Sequence, residues 1–310
     1  MNSQPHLPSG WDTSRIPDQH GKRYLVTGGN SGLGFETAKA LAAKGAHVTI
    51  TVRSEVKGVS AMSSTGAQGF IVMDLMNLAS VREAADSITD PYSVVFLNAG
   101  IMAVPYAKTI DGFESQLATN FLGHFAFAGL IEKFVIDRWV VTTSLAHRLG
   151  NFGNQTQADI KDRFHGIGKY SPWTAYGDSK LALLVFTNEL DRRRVARGYG
   201  AIPIAAHPGW AYTNLFKHPG KAHPVAQLSD LVGPKLAQTA DEGALPLLCA
   251  ATLPGINHTA LLGPDGFLEL KGSPKFTHGK ALAYDQQLAI NLWQVAEELT
   301  GVAWDNSPHA

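Results

Sequence analysis

Cysteine is almost missing from this chain: Cys249 is the one such residue in 310. No internal disulfide can form, so the fold has to rest on its core, and the setting Leu247-Leu248-Cys249-Ala250 predicts a buried thiol. An excess of charge of one sign is missing too, because lysine plus arginine and aspartate plus glutamate number 26 each. Without a global field, neither nucleic acid nor an anionic membrane is an expected partner. The one basic run, Arg192-Arg193-Arg194, reads as a solvated helix face. Every apolar run stops well short of the ~20 residues that span a bilayer. Residues 1–10 carry neither a basic nor an apolar leader region. A soluble, cytoplasmic protein is the expectation. The 12 histidines form no His-Glu-x-x-His pattern or Cys/His cluster, so no metal is expected. Internal repeats and low-complexity tracts are also missing.

What is present is an apolar fraction of 45% against 17% charged residues, enough for a sizeable core. Residues 1–20, with Pro5, Pro8 and Pro17, read as an arm lying on the surface. From 21 to 310 strand and helix patterns alternate in a way that suits one domain. Strands are predicted at 24–26, His47–Val52, 70–73, 94–97, 139–143, Ile202–Ala206 and 260–262. Helices are predicted after the first strand, near 79–87, over 112–134, over 174–197, over 241–252 and over 282–299. Residues 150–172 show no clear period. Residues 210–238 mix Trp210, Tyr212 and Phe216 with three prolines and read as an irregular lid. Apolar runs in place of alternating strands imply an α/β, doubly wound architecture. Its central, mostly parallel sheet of seven strands has helices on both faces.

The segment Thr27-Gly28-Gly29-Asn30-Ser31-Gly32-Leu33-Gly34 stands between the first strand and its helix. Glycines there let the backbone pass close to a pyrophosphate, and the helix N-terminus offers free N–H groups and a positive dipole end. The spacing is Gly-x-x-x-Gly-x-Gly, distinct from Gly-x-Gly-x-x-Gly, and the Lys-Ser/Thr ending of a triphosphate loop is absent. In a doubly wound sheet, ligands bind at the carboxyl ends of the strands. That rule gathers the glycine turn, Arg53, Asp74, Asn98-Ala99-Gly100, Ser144 and Pro208-Gly209 at one edge. The helix after the fifth strand adds Tyr176 and Lys180, four apart and so on one face. A phenol ionises near pH 10, and a neighbouring lysine cation favours the phenolate, bringing it towards use as an acid or base.

With these motifs assembled, the sequence resembles the short-chain dehydrogenase/reductase family over about 20–265. The matching residues are Thr27-Gly28-x-x-x-Gly32-x-Gly34, Asp74-Leu75, Asn98-Ala99-Gly100, Asn120, Ser144, Tyr176-x-x-x-Lys180 and Pro208-Gly209 with Thr213. Asn120-Phe121-Leu122-Gly123-His124-Phe125, Ser144-Leu145-Ala146-His147 and His207-Pro208-Gly209-Trp210 resemble the retinol-dehydrogenase-like branch, in the manner of its bacterial soluble members. The resemblance implies a Rossmann-type fold and transfer of a hydride between a nicotinamide and an alcohol/carbonyl pair. It implies Tyr176 as proton donor or base, and Lys180 as holder of the ribose hydroxyls and depressor of the tyrosine pKa. Ser144 is implied as donor to the substrate oxygen and Asn120 as anchor of a relay water. Asp74 is assigned to the adenine, Leu75 beside it to the cofactor, Asn98, Ala99 and Gly100 to the adenosine side, and Pro208, Gly209 and Thr213 to the nicotinamide. Leu97 departs from the family, in which many members carry an asparagine there.

Two further expectations concern specificity. Met102, Trp173, Trp210, Tyr212 and Phe216 are predicted to form an apolar cleft for a small apolar alcohol or carbonyl. The second strand ends Thr51-Val52-Arg53-Ser54, with Val52 where a carboxylate would meet a free 2′-hydroxyl. Arg53 can pair with a 2′-phosphate through charge-assisted bonds, so NADP(H) is expected over NAD(H). A cofactor-binding sensor or scaffold without turnover is the rival reading, and it gives no reason to keep Ser144, Tyr176 and Lys180 together. Apolar helix faces such as that after Tyr176 could pair between subunits, giving a homo-oligomer, or pack internally.

Overall fold

Tyr24, Leu25 and Val26 are all buried, which is why the first strand, β1 (Arg23–Val26), has no polar face: its sheet is covered on both sides. The computed structural model describes residues 4–198, 200–211 and 237–304. After β1 come α1 (Gly32–Ala42), β2 (His47–Val52), α2 (Glu55–Thr65), β3 (Gly69–Val72), α3 (Leu78–Asp86) and β4 (Tyr92–Leu97). A broken helical stretch follows, made of α4 (Ser115–Leu117), a π-helical segment Ala118–Leu122 and α5 (Gly123–Ile131). The chain continues through β5 (Val135–Thr142), α6 (Gln157–His165), α7 (Pro172–Arg197), β6 (Ile202–Ala206), α8 (Ala240–Thr252), β7 (Leu261–Pro264), β8 (Pro274–Thr277) and α9 (Gln286–Thr300). Among the described residues the strands form one sheet in the order β3-β2-β1-β4-β5-β6-β7-β8. All pairs are parallel except β7 with β8. The order reverses between β1 and β4, and that crevice is where a doubly wound sheet takes its ligand.

Successive strand residues feed opposite core layers, as the two-residue period of a strand demands. Tyr24, Val26, Val94, Phe96 and Val140 pack with Leu41 of α1 and Leu247 and Leu248 of α8. Leu25, Val95, Leu97, Trp139 and Val141 pack with α3, α5, α7 and α9. In that second layer Phe125 of α5 lies 5.8 Å from Phe186 of α7, 5.2 Å from Trp293 of α9 and 5.6 Å from Trp304, centre to centre. The apolar face of α7 is thus covered from within the chain. Cys249 is buried, as its neighbours predicted.

The structure corrects several sequence expectations. The sheet has eight strands, not seven, because Pro274–Thr277 returns antiparallel along the β7 edge. The N-terminal arm is not a surface feature throughout: Trp11 and Ile16 are buried in the layer that holds α1 and α8. Residues 150–172 contain α6, closed by a Thr156/Asp159 capping box and by Gly166 at φ 65°. The expected helix over 112–134 is interrupted by its π segment. Arg192, Arg193 and Arg194 are not simply solvated, since they pair with Glu189 and Asp191, and Arg193 lies 4.1 Å over the Trp293 ring. The predicted lid residues 212–236, with Tyr212, Thr213 and Phe216, lie outside the described residues. No described helix is long and apolar enough to cross a membrane.

Candidate active site

Gly28, at φ 70°, turns the chain out of β1, and a Cβ on it would lie 2.9 Å from Ala99 Cβ. A Cβ on Gly34 would lie 2.5 Å from both Asn98 Nδ2 and the Gly28 carbonyl oxygen. The glycines therefore let the turn, the start of α1 and the end of β4 close on one another. Asn98 fastens this junction, donating from Nδ2 to the Thr27 carbonyl at 2.9 Å and from its backbone N–H to Thr27 Oγ1 at 2.8 Å. Its Oδ1 is buried with no partner among the described residues. Ser31 N-caps α1 without a side-chain bond, so the first-turn N–H groups stay open to an anion. The crevice is lined by Gly28, Asn30, Ser31, Gly32, Leu33, Arg53, Asp74, Leu75, Asn98, Ala99 and Gly100. Every one of them was picked from the sequence. Arg53 is exposed there, with no hydrogen-bond or ion-pair partner among the described residues. Asp74 Oδ1 accepts from the Met76 N–H at 3.0 Å. Thr51, Val52, Met73, Met76, Ile101 and Thr119 also line the crevice and were not among the expected cofactor residues.

Leu33, Asn98, Gly100 and Ile101 line a second cleft as well, of about 490 Å³, so the two are continuous. Ser144, Tyr176 and Lys180 stand in this second cleft with Met102, Trp173, Pro208, Gly209 and Trp210. Ser171 N-caps α7, with Pro172 in its first turn, which brings Tyr176 into the next turn, facing the end of β5. The Tyr176 phenol and the Ser144 side chain line this cleft together. Burial pushes the phenol's pKa up to about 12, and the neighbouring Ser144 hydroxyl works in the opposite sense. Lys180 is buried, donates from Nζ to the Thr142 carbonyl at 2.9 Å, and is pushed down to about 7 by loss of solvent. Its Nζ lies 5.8 Å from the centre of the Tyr176 ring. The sequence reading took the lysine as a full cation beside the phenol; burial dominates both groups.

Asn120 lines neither cleft. It sits behind Gly100 in the π-helical segment, a feature that recurs at functional sites. Its Oδ1 accepts from the Ile101 N–H at 2.8 Å, and its Nδ2 donates to the Ile101 carbonyl at 2.9 Å. The side chain thereby holds the segment that separates the two clefts. Residues that sequence reading missed include Leu145, Arg148 and Leu149, which follow Ser144 directly, and Leu270, more than a hundred residues away. Proximity to Ser144 was a usable signal for the first three. Leu270 belongs to a wall where Leu268 and Glu269 take left-handed φ of 51° and 60°. Glu269 is held down at about 2, first by its bond from His207, and it accepts from Arg148 Nη2 at 3.1 Å.

Comparison with known proteins agrees with this geometry. The short chain dehydrogenase family model matches residues 22–146. Retinol dehydrogenase 12 of Homo sapiens is 34% identical over 301 residues, covering 92% of this chain and 88% of the relative. The crystal structure of an uncharacterized protein from Mycobacterium paratuberculosis is 37% identical with a TM-score of 0.79, covering 96% of this chain and 100% of that one. A short chain dehydrogenase from Burkholderia cenocepacia, crystallised in complex with NADP, is 26% identical with a TM-score of 0.58, covering 79% of this chain and 96% of that one. With the crevice at the sheet reversal and the Ser144–Tyr176–Lys180 group beside it, these likenesses lead to one assignment: the chain belongs to the short-chain dehydrogenase/reductase family, in its retinol-dehydrogenase-like branch, and is an oxidoreductase of CH–OH groups.

Proposed function

We propose that the protein is an NADP-dependent oxidoreductase acting on an apolar alcohol or carbonyl substrate, with Tyr176 as general acid and base. The observation that carries this reading is the gathering of Ser144, Tyr176 and Lys180 in one apolar cleft continuous with the glycine-turn crevice. The crevice fits a dinucleotide because the turn at Gly28 and Gly34 packs close against the end of β4, the first turn of α1 stays uncapped by a side chain, and the buried Asn98 Oδ1 is left without a partner. Gly28 to Leu33 take the pyrophosphate, Asp74 and Leu75 the adenine, and Pro208 and Gly209 the nicotinamide side. When bound, the nicotinamide gives or takes the hydride.

The chain's own residues do the rest. Ser144 Oγ–H donates to the substrate oxygen and fixes it beside the phenol. Tyr176 Oη–H gives that oxygen a proton during reduction, and at neutral pH the phenol holds the proton it needs. In oxidation the phenolate takes a proton from the substrate hydroxyl. Lys180 spends one donor on Thr142 and has others left for ribose hydroxyls. Met102, Leu145, Leu149, Trp173, Trp210 and Leu270 exclude water and favour an apolar body on the substrate. Arg53 supports NADP, since an unpartnered guanidinium at the crevice is matched by a 2′-phosphate, and the Burkholderia relative carries NADP. Tyr176→Phe tests the assignment: turnover of an apolar ketone or aldehyde is expected to vanish while NADP binding stays nearly unchanged. Near wild-type turnover by the variant removes Tyr176 from the mechanism.

A further inference from the structure

His124 lines neither cleft, yet it bonds to Thr27 of the glycine turn and to Asn120 behind Gly100. It is 1% exposed, in α5, one turn after Asn120. Its Nε2 lies 2.9 Å from Thr27 Oγ1 and its Nδ1 2.9 Å from the Asn120 carbonyl oxygen. The protons on these contacts follow from counting donors. Thr27 Oγ1 accepts the N–H groups of Asn98 at 2.8 Å and Ala99 at 3.0 Å, which uses both lone pairs of the hydroxyl. Its own hydrogen must then go to His124 Nε2, and a bare Nε2 leaves the ring proton on Nδ1, where it donates to Asn120. Loss of solvent keeps the ring neutral, with a pKa of about 4.

From the side chain of Asn120 a second set of bonds runs onward. Asn120 Nδ2 donates to Ser179 Oγ at 2.8 Å, and Ser179 Oγ donates to the Tyr176 carbonyl at 2.7 Å. Two sets of bonds, joined through the covalent frame of Asn120, therefore connect the glycine turn to the main chain of Tyr176. They form no proton wire: Thr27 is fully buried at one end, and the other end is a peptide carbonyl.

We propose that His124 is a positioning residue, which as a neutral Nδ1–H imidazole fixes Asn120, and through Ser179 the turn bearing Tyr176, against the cofactor turn. This rests on the role given to Tyr176 under the proposed function. Two measurements on the full chain test it. Nitrogen NMR of histidine-labelled protein, assigned by loss of the signal in His124→Asn, is expected to show the Nδ1–H tautomer unchanged between about pH 5 and 8. An Nε2–H ring, or titration in that range, overturns the proposal.

The second measurement is kinetic. His124→Phe keeps the ring shape and loses both bonds, so kcat is expected to fall on the order of 100-fold, the scale of an ångström-sized misplacement. His124→Asn retains a donor near Nδ1 and is expected to recover part of that loss, with substrate KM little changed in both. Ser179→Ala acts on the same connection, so combining it with His124→Asn should give a kcat no lower than the worse single variant. Losses that multiply, or a His124→Phe enzyme with wild-type kcat, overturn the proposal. If His124→Phe does not fold, the His124→Asn cycle and the wild-type spectrum still decide. Full turnover by Tyr176→Phe would sink the proposed function alone, because the tautomer is read without turnover.

Discussion

Arg53 offers the sharpest test of cofactor choice. Its guanidinium is exposed beside Ser31 and Asp74 and bonds to nothing among the described residues, so recruiting it breaks no existing contact. A hydrogen bond to a charged group contributes ~1.5–3 kcal/mol, and solvent at this exposed position places Arg53 at the low end. Arg53→Ala should therefore raise the NADP Kd about tenfold, at ~1.4 kcal/mol per decade. Arg53→Asp sets a carboxylate against the 2′-phosphate and should cost about another tenfold. NAD has a hydroxyl there, and its binding should hardly change. Nicotinamide fluorescence titrations of both cofactors against the three proteins measure this. Ionic strength must be fixed, because exposed charges are screened over ~10 Å at 0.1 M salt. Equal losses for NAD and NADP, or a wild type that binds NAD more tightly, would refute the reasoning.

Two other outcomes concern stability. Asp178 is 1% exposed, accepts from the Asn151 N–H at 2.6 Å, and is pushed by burial from 3.8 up to about 7. The folded state keeps a proton that the unfolded chain releases, so this group lowers stability as pH rises from 3.8 to about 7, and the cost is complete above that window. In urea titrations at several pH values, the stability of wild type relative to Asp178→Asn should fall by up to a few kcal/mol across the window. A flat difference would contradict the assignment. Phe125→Ala empties a space between Phe186, Trp293 and Trp304 and should cost ~3–5 kcal/mol. A loss below about 1 kcal/mol would mean that this layer can collapse around the gap.

The glycine turn and the crevice were legible because their residues are dictated by backbone geometry: a side chain on Gly28 or Gly34 strikes Ala99 or Asn98. Core strands were legible from their unbroken apolar runs. α2 escaped because Glu55–Thr65 is rich in serine and interrupted by Gly58, a position that lets the Phe70 ring approach. The capping box of α6 was present in Thr156 and Asp159, but a polar helix lying on the surface gives little apolar period to find. β8 opens on Pro274 and runs only four residues, signals that suit an edge strand and look like a loop. His124 was quoted within a motif, yet its role depends on Thr27, 97 positions away. Separation of that kind leaves no mark in local pattern.

The covering of α5 and α7 by α9 and Trp304 also sets a schedule for synthesis. Gly129 of α5 has no room for a side chain because the Trp304 indole nitrogen would stand 2.7 Å from its Cβ. A ribosome that has just made Phe186 must still add 118 residues before Trp304 exists. At ~5–20 residues per second that takes roughly 6 to 24 s. Until Trp293 and then Trp304 are made, the rings of Phe125 and Phe186 lack the tryptophans that cover them in the folded chain, while the sheet beneath them is already being laid down. The nascent chain therefore carries an uncovered aromatic face for seconds, and slowing translation downstream of Phe186 should raise aggregation of the newly made protein.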